Sequence, residues 1–287
     1  MATTELLQAL QELTTAIGRY RNIQNLTLAS AVIMILDWLL TLEMEVTLIW
    51  EAEWNLSKGL YMVSRYMPFI DVPIALTFGL NEGIGVERCK TLYTCIAWMF
   101  CIGEAIADLI FTLRTWVVWG KLRRVALGLA VCYIATWVVI LVTVGLYLRT
   151  AVYMPSPVPQ LMGCIEQSPS VLMSVSYIAA MVYNAIMLVL ILIPGVSAFK
   201  SGLPSSGLMR VIYSDGVIYY VYIFVLSFLN FFVIFKLPKD YINLLLTLER
   251  VLQSVLSCRV ILHIRQQAAK AKRIESQAAT ASEILFR

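Results

Sequence analysis

The stretch that decides the fold is residues 125–148, VALGLAVCYIATWVVILVTVGLYL, which contains no charged side chain. At 1.5 Å per helical residue it is long enough to cross the hydrocarbon core of a bilayer, about 30 Å thick. It is apolar on nearly all sides, whereas a surface helix of a soluble protein has one apolar and one polar face. This stretch therefore predicts a transmembrane helix.

Six further apolar stretches, separated by short polar connectors, lie on either side of it. In chain order, the seven predicted spans are residues 26–42, 58–80, 91–119, 125–148, 171–199, 211–235 and 241–264. The composition agrees, because 60% of the residues are hydrophobic and only 14% are charged, which is far from the usual soluble range. We predict an all-α, polytopic integral membrane protein, built as a bundle of seven transmembrane helices.

The positions of Lys and Arg predict which end of the bundle faces the cytoplasm. More of them lie in the connectors on the side of the C-terminal tail than on the side of the N-terminus. We therefore expect the N-terminus outside and the C-terminus in the cytoplasm. The first connector is acidic, but acidic residues contribute little to this rule. We read the net charge of +4 as a feature of topology and expect no nucleic-acid partner.

The chain is predicted to have three parts. Residues 1–25 repeat Leu and Ile at helical spacing, which indicates an amphipathic segment that lies in the membrane interface or caps the bundle. Residues 26–265 form the transmembrane domain, and residues 266–287 form a cytoplasmic tail that is basic in its first third. The lipid bilayer is thus one expected partner, while plasma membrane and endomembrane are not distinguished.

Two of the six cysteines lie outside the predicted spans, and the predicted topology places both on the outer side. Cys89 comes at the start of the third span, and Cys164 lies in the Pro-rich connector after the fourth. An oxidising compartment favours their pairing. We expect a Cys89–Cys164 disulfide; two free thiols are the alternative.

Charged residues inside the spans form the candidate functional site, because an ionisable group at mid-bilayer costs at least about 2.5 kcal/mol. Counting depth along the helices places Arg65 and Asp108 at one level, which allows them to pair. The functional interpretation is a switch or an ion path; the alternative is a set of paired charges that only fixes helix packing. The predicted intramembrane charge network is Arg65, Asp71, Glu104, Asp108, Glu249 and Arg250.

A second candidate lies near the predicted inner ends of the third and sixth spans, at Arg114 and Asp215. A bridge between them would hold the inner mouth closed, and a ligand or partner could release it. The alternative is that Arg114 reaches lipid headgroups while Asp215 caps its own helix.

The sequence gives little support for an enzyme. Its one histidine, His263, is too few for the usual metallohydrolase site. We find no Gly-rich phosphate loop and no nucleophile with a partnering His outside the spans. We therefore expect no catalytic residue, no metal and no cofactor.

Residues 36–71 read LDWLLTLEMEVTLIWEAEWNLSKGLYMVSRYMPFID and carry the most specific motif of the chain. Residues 48–66 are predicted to form a fixed inner turn with both tryptophans at the membrane interface. At most one of the two acids Glu43 and Glu45 is expected to turn inward to meet a basic partner. The motif residues are Asp37, Glu43, Glu45, Trp50, Trp54, Arg65 and Tyr66.

With later blocks at residues 103–120, 163–164, 215–219 and 257–265, this motif resembles a domain-of-unknown-function family of seven-helix membrane proteins abundant in basidiomycete fungi. Asp108 departs from the pattern, where an apolar residue is expected. The resemblance implies seven helices and a receptor-like outline, with no known ligand or activity.

We therefore expect an orphan, receptor-like protein that detects a small molecule or lipid and acts on a cytoplasmic signalling protein. The outer N-terminus, the candidate disulfide and the Arg114 position resemble the layout of G-protein-coupled receptors, which is an analogy at the level of fold. One alternative is a small-solute or proton carrier that uses Asp71, Glu104, Glu249 and Arg250. Another is a structural membrane protein.

Overall fold

The computed structural model describes residues 2–80, 85–155, 164–167, 170–200, 207–238, 241 and 243–285. These residues are almost entirely helical. The helices are α1 (Ala2–Glu45), α2 (Leu56–Tyr66), α3 (Pro68–Leu80), α4 (Val86–Val118), α5 (Arg123–Thr150), α6 (Ser170–Lys200), α7 (Gly207–Lys236) and α8 (Leu246–Leu285). A π-helix, Val46–Trp50, follows α1 directly. A short antiparallel hairpin of β1 (Val152–Pro155) and β2 (Cys164–Gln167) lies between α5 and α6.

Four helices are long and apolar enough to cross a membrane, and they confirm the membrane character that the sequence predicts. Within the described part of the chain these are Val86–Val118, Arg123–Thr150, Val171–Pro194 and Val217–Lys236. The side chains of α5 illustrate why, since Leu127, Val131 and Ile134 are all more than half exposed. An exposed apolar face of this kind suits contact with lipid chains.

The other three predicted spans are helical but more polar or more broken than expected. Residues 58–80 are divided at Met67 into α2 and α3, because Pro68 has no backbone N–H and begins a new helix. Residues 241–264 begin as a turn, and α8 starts only at Leu246. The first predicted span, residues 26–42, lies within the longer helix α1.

Neither predicted end of the transmembrane domain coincides with a helix end, and the division into three parts stays a prediction. α1 runs unbroken through residue 25, so residues 2–25 are the first half of one 44-residue helix. Tyr20 fixes this half by donating its hydroxyl hydrogen to the carbonyl of Gly79 at 2.9 Å. α8 likewise runs unbroken through residue 265 to Leu285. Neither junction contains a Pro or Gly to interrupt the helix.

The position of α8 organises the described interior, because it packs against α1, α2, α3, α4 and α7. Its apolar residues Val251 and Val255 lie in one buried cluster with Ala31, Met34 and Val72. Further along, Cys258 and Leu262 lie in another cluster with Ile49 and Tyr61. The polar residues of α8 lie between these apolar ones and face its neighbours.

Candidate functional site

The buried polar side chains of the described residues are arranged around α8. They make hydrogen bonds from α8 to α1, α2, α3, α4 and α7. In the low dielectric of a helix bundle, each such bond fixes a helix pair more firmly than apolar contact alone. The site is therefore best described one neighbour of α8 at a time.

An ion pair between α8 and α3 lies at the centre of this arrangement. Arg250 donates through Nε to Oδ2 of Asp71 at 3.0 Å, and both side chains are fully buried. Gly103 of α4 lies directly against the guanidinium, so that a Cβ added there would overlap it. A glycine is therefore needed at this position to admit the arginine side chain.

This central group contains polar atoms that no described residue satisfies. Oδ1 of Asp71, Oε1 of Glu104 and both Nη atoms of Arg250 are buried without a hydrogen-bond partner among the described residues. Glu104 is close enough to interact electrostatically with both Arg250 and Asp71. Because buried polar atoms are normally hydrogen-bonded, this concentration of unsatisfied atoms marks the centre as the candidate site of action.

The pairing of Arg65 with Asp108 that their common depth allowed is not formed. Asp108 of α4 instead accepts a hydrogen bond at Oδ1 from Nε2 of Gln253, at 2.7 Å. Counting along a helix gives depth but not direction around the axis, and Asp108 faces α8. Gln253 was not singled out in the sequence, since a lone glutamine gives no signal of its own.

Glu249 also separates from the predicted network, although it directly precedes Arg250. It faces α7, where Ser227 donates to Oε1 at 3.2 Å and Asn230 donates to Oε2. Asn184 of α6 extends the chain by donating to Oγ of Ser227 at 2.7 Å. Consecutive helical residues point about 100° apart, so neighbours in sequence reach different partners.

The sixth member, Arg65, belongs to a separate cluster between α1 and α2. Its Nη1 lies 2.5 Å from Oδ2 of Asp37, and its Nε lies 3.4 Å from Oε2 of Glu45. It also donates through Nη2 to the hydroxyl of Thr41. All three charged side chains are almost completely buried. The sequence predicted that at most one of Glu43 and Glu45 meets a basic partner, but it did not indicate the pairing of Asp37 with Arg65.

α8 joins this cluster through Arg259, which donates from Nε to Oδ1 of Asp37 at 2.7 Å. Arg259 is 45% exposed, in contrast to the buried Arg65. Asp37 thus ties three helices together. We call Asp37, Glu45, Arg65 and Arg259 the ionic cluster.

The expectation that only one acid turns inward is confirmed. Glu45 is buried and accepts hydrogen bonds from Tyr66 at 2.5 Å and from Trp50 at 3.1 Å, whereas Glu43 is exposed. Trp50 and Trp54 are 52% and 77% exposed. They are not buried in the bundle centre, and such half-wet indoles suit a membrane interface.

The turn between α1 and α2 is held by specific contacts, which agrees with the fixed turn predicted for residues 48–66; its position on the inner side stays a prediction. Asn55 caps α2 by accepting from the backbone N–H of Lys58 at 2.9 Å. Lys58 donates from Nζ to the carbonyls of Trp50 and Ala52, at 3.0 and 2.6 Å. Arg265 of α8 donates to the carbonyl of Leu48 at 2.9 Å. These bonds satisfy carbonyls that the end of the π-helix leaves free.

Arg114 is buried near the end of α4 and faces α7, where its guanidinium lies 5.9 Å from the ring centroid of Tyr220. Tyr220 is itself fixed to α4, because its hydroxyl donates to the carbonyl of Phe111 at 2.8 Å. The side chain of Asp215 lies outside the described residues, so the Arg114–Asp215 bridge stays a prediction.

If the bridge exists, Arg114→Ala and Asp215→Ala should each increase the labelling of cysteines introduced at the start of α7. The double variant should add little, because both changes remove the same interaction. Tyr220→Phe is a control that removes a hydroxyl from the same region and leaves both charges. Additive effects of the two alanine substitutions would contradict the bridge.

Cys89 is fully buried at the start of α4. It packs in one cluster with Tyr93 of α4 and with Tyr153 of the hairpin. Cys164 begins β2, and its backbone lies opposite Pro155; its side chain lies outside the described residues. The disulfide therefore stays a prediction. We expect non-reducing peptide mapping to recover residues 89 and 164 in one cross-linked peptide. Alkylation of both thiols without prior reduction would contradict it.

The described residues contain no group of His, Cys, Asp and Glu arranged to hold a metal ion. The buried carboxyl, hydroxyl, amide and guanidinium groups of the site offer hydrogen bonding, ion pairing and proton exchange.

The model of a family of unknown function (DUF6533) matches residues 26–70. No curated protein matches the chain. The matched range includes Asp37, Glu45, Arg65 and Tyr66, so most of the ionic cluster lies inside it. Asp71 and all of α8 lie beyond it.

Proposed function

We propose that this chain is a receptor-like membrane protein with seven transmembrane helices, an outer N-terminus and a cytoplasmic C-terminus. It would bind a small-molecule or lipid ligand and act on a cytoplasmic signalling protein. Counting α2 and α3 as one broken span gives seven. The match at residues 26–70 supports assignment to the seven-helix family that the motif resembles.

The observation that carries this proposal is the continuity of α8. The helix contains 40 residues and is therefore about 60 Å long at 1.5 Å per residue. It carries Arg250 in the bundle interior and then continues beyond the ionic cluster to exposed residues such as Arg273 and Ile274. A displacement at Arg250 would be transmitted along one rigid element.

The ionic cluster gives this element a defined resting position. Arg259 lies nine residues after Arg250, or about 14 Å further along α8. The side chain of Arg259 is half exposed, and exposed ion pairs contribute little to stability. Its pair with the buried Asp37 is therefore the weakest interaction of the ionic cluster. Release of Arg259 would free α8 from α1 while the Arg65–Asp37 pair stays closed.

Proximity labelling with the full chain tests this proposal. A labelling enzyme fused after residue 287 should enrich cytoplasmic signalling proteins, such as a G-protein subunit. The same enzyme fused before residue 1 should label proteins of the opposite compartment. Equal labelling of cytoplasmic proteins by both fusions would contradict the topology. A C-terminal fusion that enriches no signalling component would contradict the receptor function.

A proton or small-solute carrier is the second candidate, supported by the unpartnered carboxyl oxygens of Asp71 and Glu104. Carboxyl groups of this kind are typical of proton pathways. Proton-coupled uptake into vesicles, lost in Glu104→Gln but kept in the surface control Glu43→Gln, would favour the carrier. Vesicles that show no uptake with the native chain would favour the receptor.

A further inference from the structure

We propose that Arg250 exchanges its carboxylate partner between Asp71 on α3 and Glu104 on α4, and that this exchange repositions α8. The consequence for signalling rests on the proposed receptor function. The exchange itself is a property of the bundle and can be measured without knowledge of any ligand.

Arg250 uses only part of its hydrogen-bonding capacity in the described state. Its Nε donates to Asp71, while Nη1 and Nη2 have no partner among the described residues. A guanidinium has five N–H donors in a planar fork, and it binds carboxylates best through two of them. The present pair with Asp71 is thus an incomplete form of the contact that Arg250 can make.

Glu104 provides the second acceptor. Its Oε1 is buried and has no partner among the described residues, and it interacts electrostatically with Arg250 and Asp71. The neighbouring Gly103 has no side chain to separate α4 from the guanidinium. The guanidinium is therefore bonded to α3 while it already lies on the surface of α4.

The other buried carboxylates nearby do not compete for Arg250. Asp108 accepts from Gln253, and Glu249 accepts from Ser227 and Asn230 on α7. Each has neutral donors of its own. Among the described residues, two acceptors on different helices thus remain for Arg250, namely Asp71 and Glu104.

This arrangement has two stable positions with an unfavourable point between them. A buried guanidinium without a carboxylate is strongly destabilised, so Arg250 is stable when bonded to either partner. Packed interiors favour discrete alternatives of this kind over continuous deformation. In one state α8 is tied to α3 and in the other to α4. A ligand that binds one state better would shift the population.

Thermal unfolding of the purified full chain in detergent tests the exchange. Asp71→Asn should lower the melting temperature only modestly, because Arg250 then bonds to Glu104. Glu104→Gln should also have a small effect, because the pair with Asp71 remains. The double variant should lose clearly more than the sum of the two single losses, since it leaves Arg250 without an acid. Asp108→Asn is the matched control on the Asp71→Asn background, where its effect should be additive, because Asp108 accepts from Gln253 and not from Arg250.

A distance measurement then reports the movement of α8. Spin labels carried by non-natural amino acids at the exposed positions Arg273 of α8 and Leu127 of α5 leave the cysteines intact. Asp71→Asn should shift the distance distribution relative to Glu104→Gln, because the two variants hold opposite states.

The outcomes separate this proposal from the proposed function. Additive losses, or identical distance distributions in the two single variants, would overturn the exchange and leave the receptor function standing. The exchange would also be overturned if the Asp71→Asn variant did not accumulate but the Asp71→Asn/Arg250→Met variant did. That result would show that Arg250 does not bond to Glu104 when Asp71 is neutral. A verified exchange with no cytoplasmic partner would instead remove the receptor function.

Discussion

Arg65→Met is expected to lower the free energy of unfolding by about 3–5 kcal/mol, the usual cost of removing one partner from a buried ion pair. The methionine keeps much of the apolar stem but leaves Asp37 and Glu45 without their shared cation. Two carboxylates would then remain buried between α1 and α2. Thermal unfolding in detergent, with the amount of folded protein in membranes as a second readout, measures the loss.

Arg259→Met provides the matched comparison. It removes a cation from the same Asp37, but Arg259 is 45% exposed, so water already screens much of this interaction. We expect a much smaller loss of stability than for Arg65→Met. Adding Asp37→Asn and Glu45→Gln to Arg65→Met should restore part of the lost stability, because neutral groups cost less to bury. Equal losses for the two arginine variants would show that burial does not set the strength of these pairs.

The helical, membrane-spanning character could be predicted from the sequence because it depends on local composition. Residues 125–148 became the apolar part of α5, which extends from Arg123 to Thr150. A run without charged side chains is favourably surrounded only by lipid chains and by the apolar faces of neighbouring helices. The inward turn of one acid was equally predictable, since two acids separated by one residue cannot both face the same partner.

The continuation of α1 through residue 25 and of α8 through residue 265 could not be predicted from hydropathy. A change from apolar to polar side chains alters the surroundings of a helix but not its backbone hydrogen bonds. α1 and α8 therefore cross these points without interruption. The break at Met67 is of a kind that a sequence can indicate, because Pro68 lacks a backbone N–H donor.

The partners of the buried charges were the least predictable feature. A sequence gives the depth of Arg65 and Asp108 along their helices but not the rotation of each helix about its axis. That rotation decided that Asp108 bonds to Gln253 and that Arg65 bonds to Asp37. The role of Gly103 could not be predicted either, because it depends on how closely Arg250 of α8 approaches α4.

Gly103→Ala is expected to destabilise the bundle by about 3 kcal/mol or more, although alanine is the better helix former. The added Cβ would overlap the guanidinium of Arg250. Moving the guanidinium off the surface of α4 breaks the pair with Asp71 and also blocks the approach to Glu104. Both side chains of the pair are fully buried, so no water replaces the lost contact. Both overpacking and the loss of a buried ion pair contribute. Thermal unfolding of the purified chain measures the effect.

Gly145→Ala on α5 is the control, because a Cβ there would meet nothing closer than Trp98 at 3.9 Å. It should leave stability unchanged or raise it by about 0.5–1 kcal/mol, the usual gain from replacing glycine inside a helix. A double-mutant cycle identifies the cause. With Asp71→Asn and Arg250→Met in the background, Gly103→Ala should lose most of its cost, because methionine can bend away and no ion pair remains to break. A cost that persists in this background would show that Gly103 is required by α4 packing and not by the arginine.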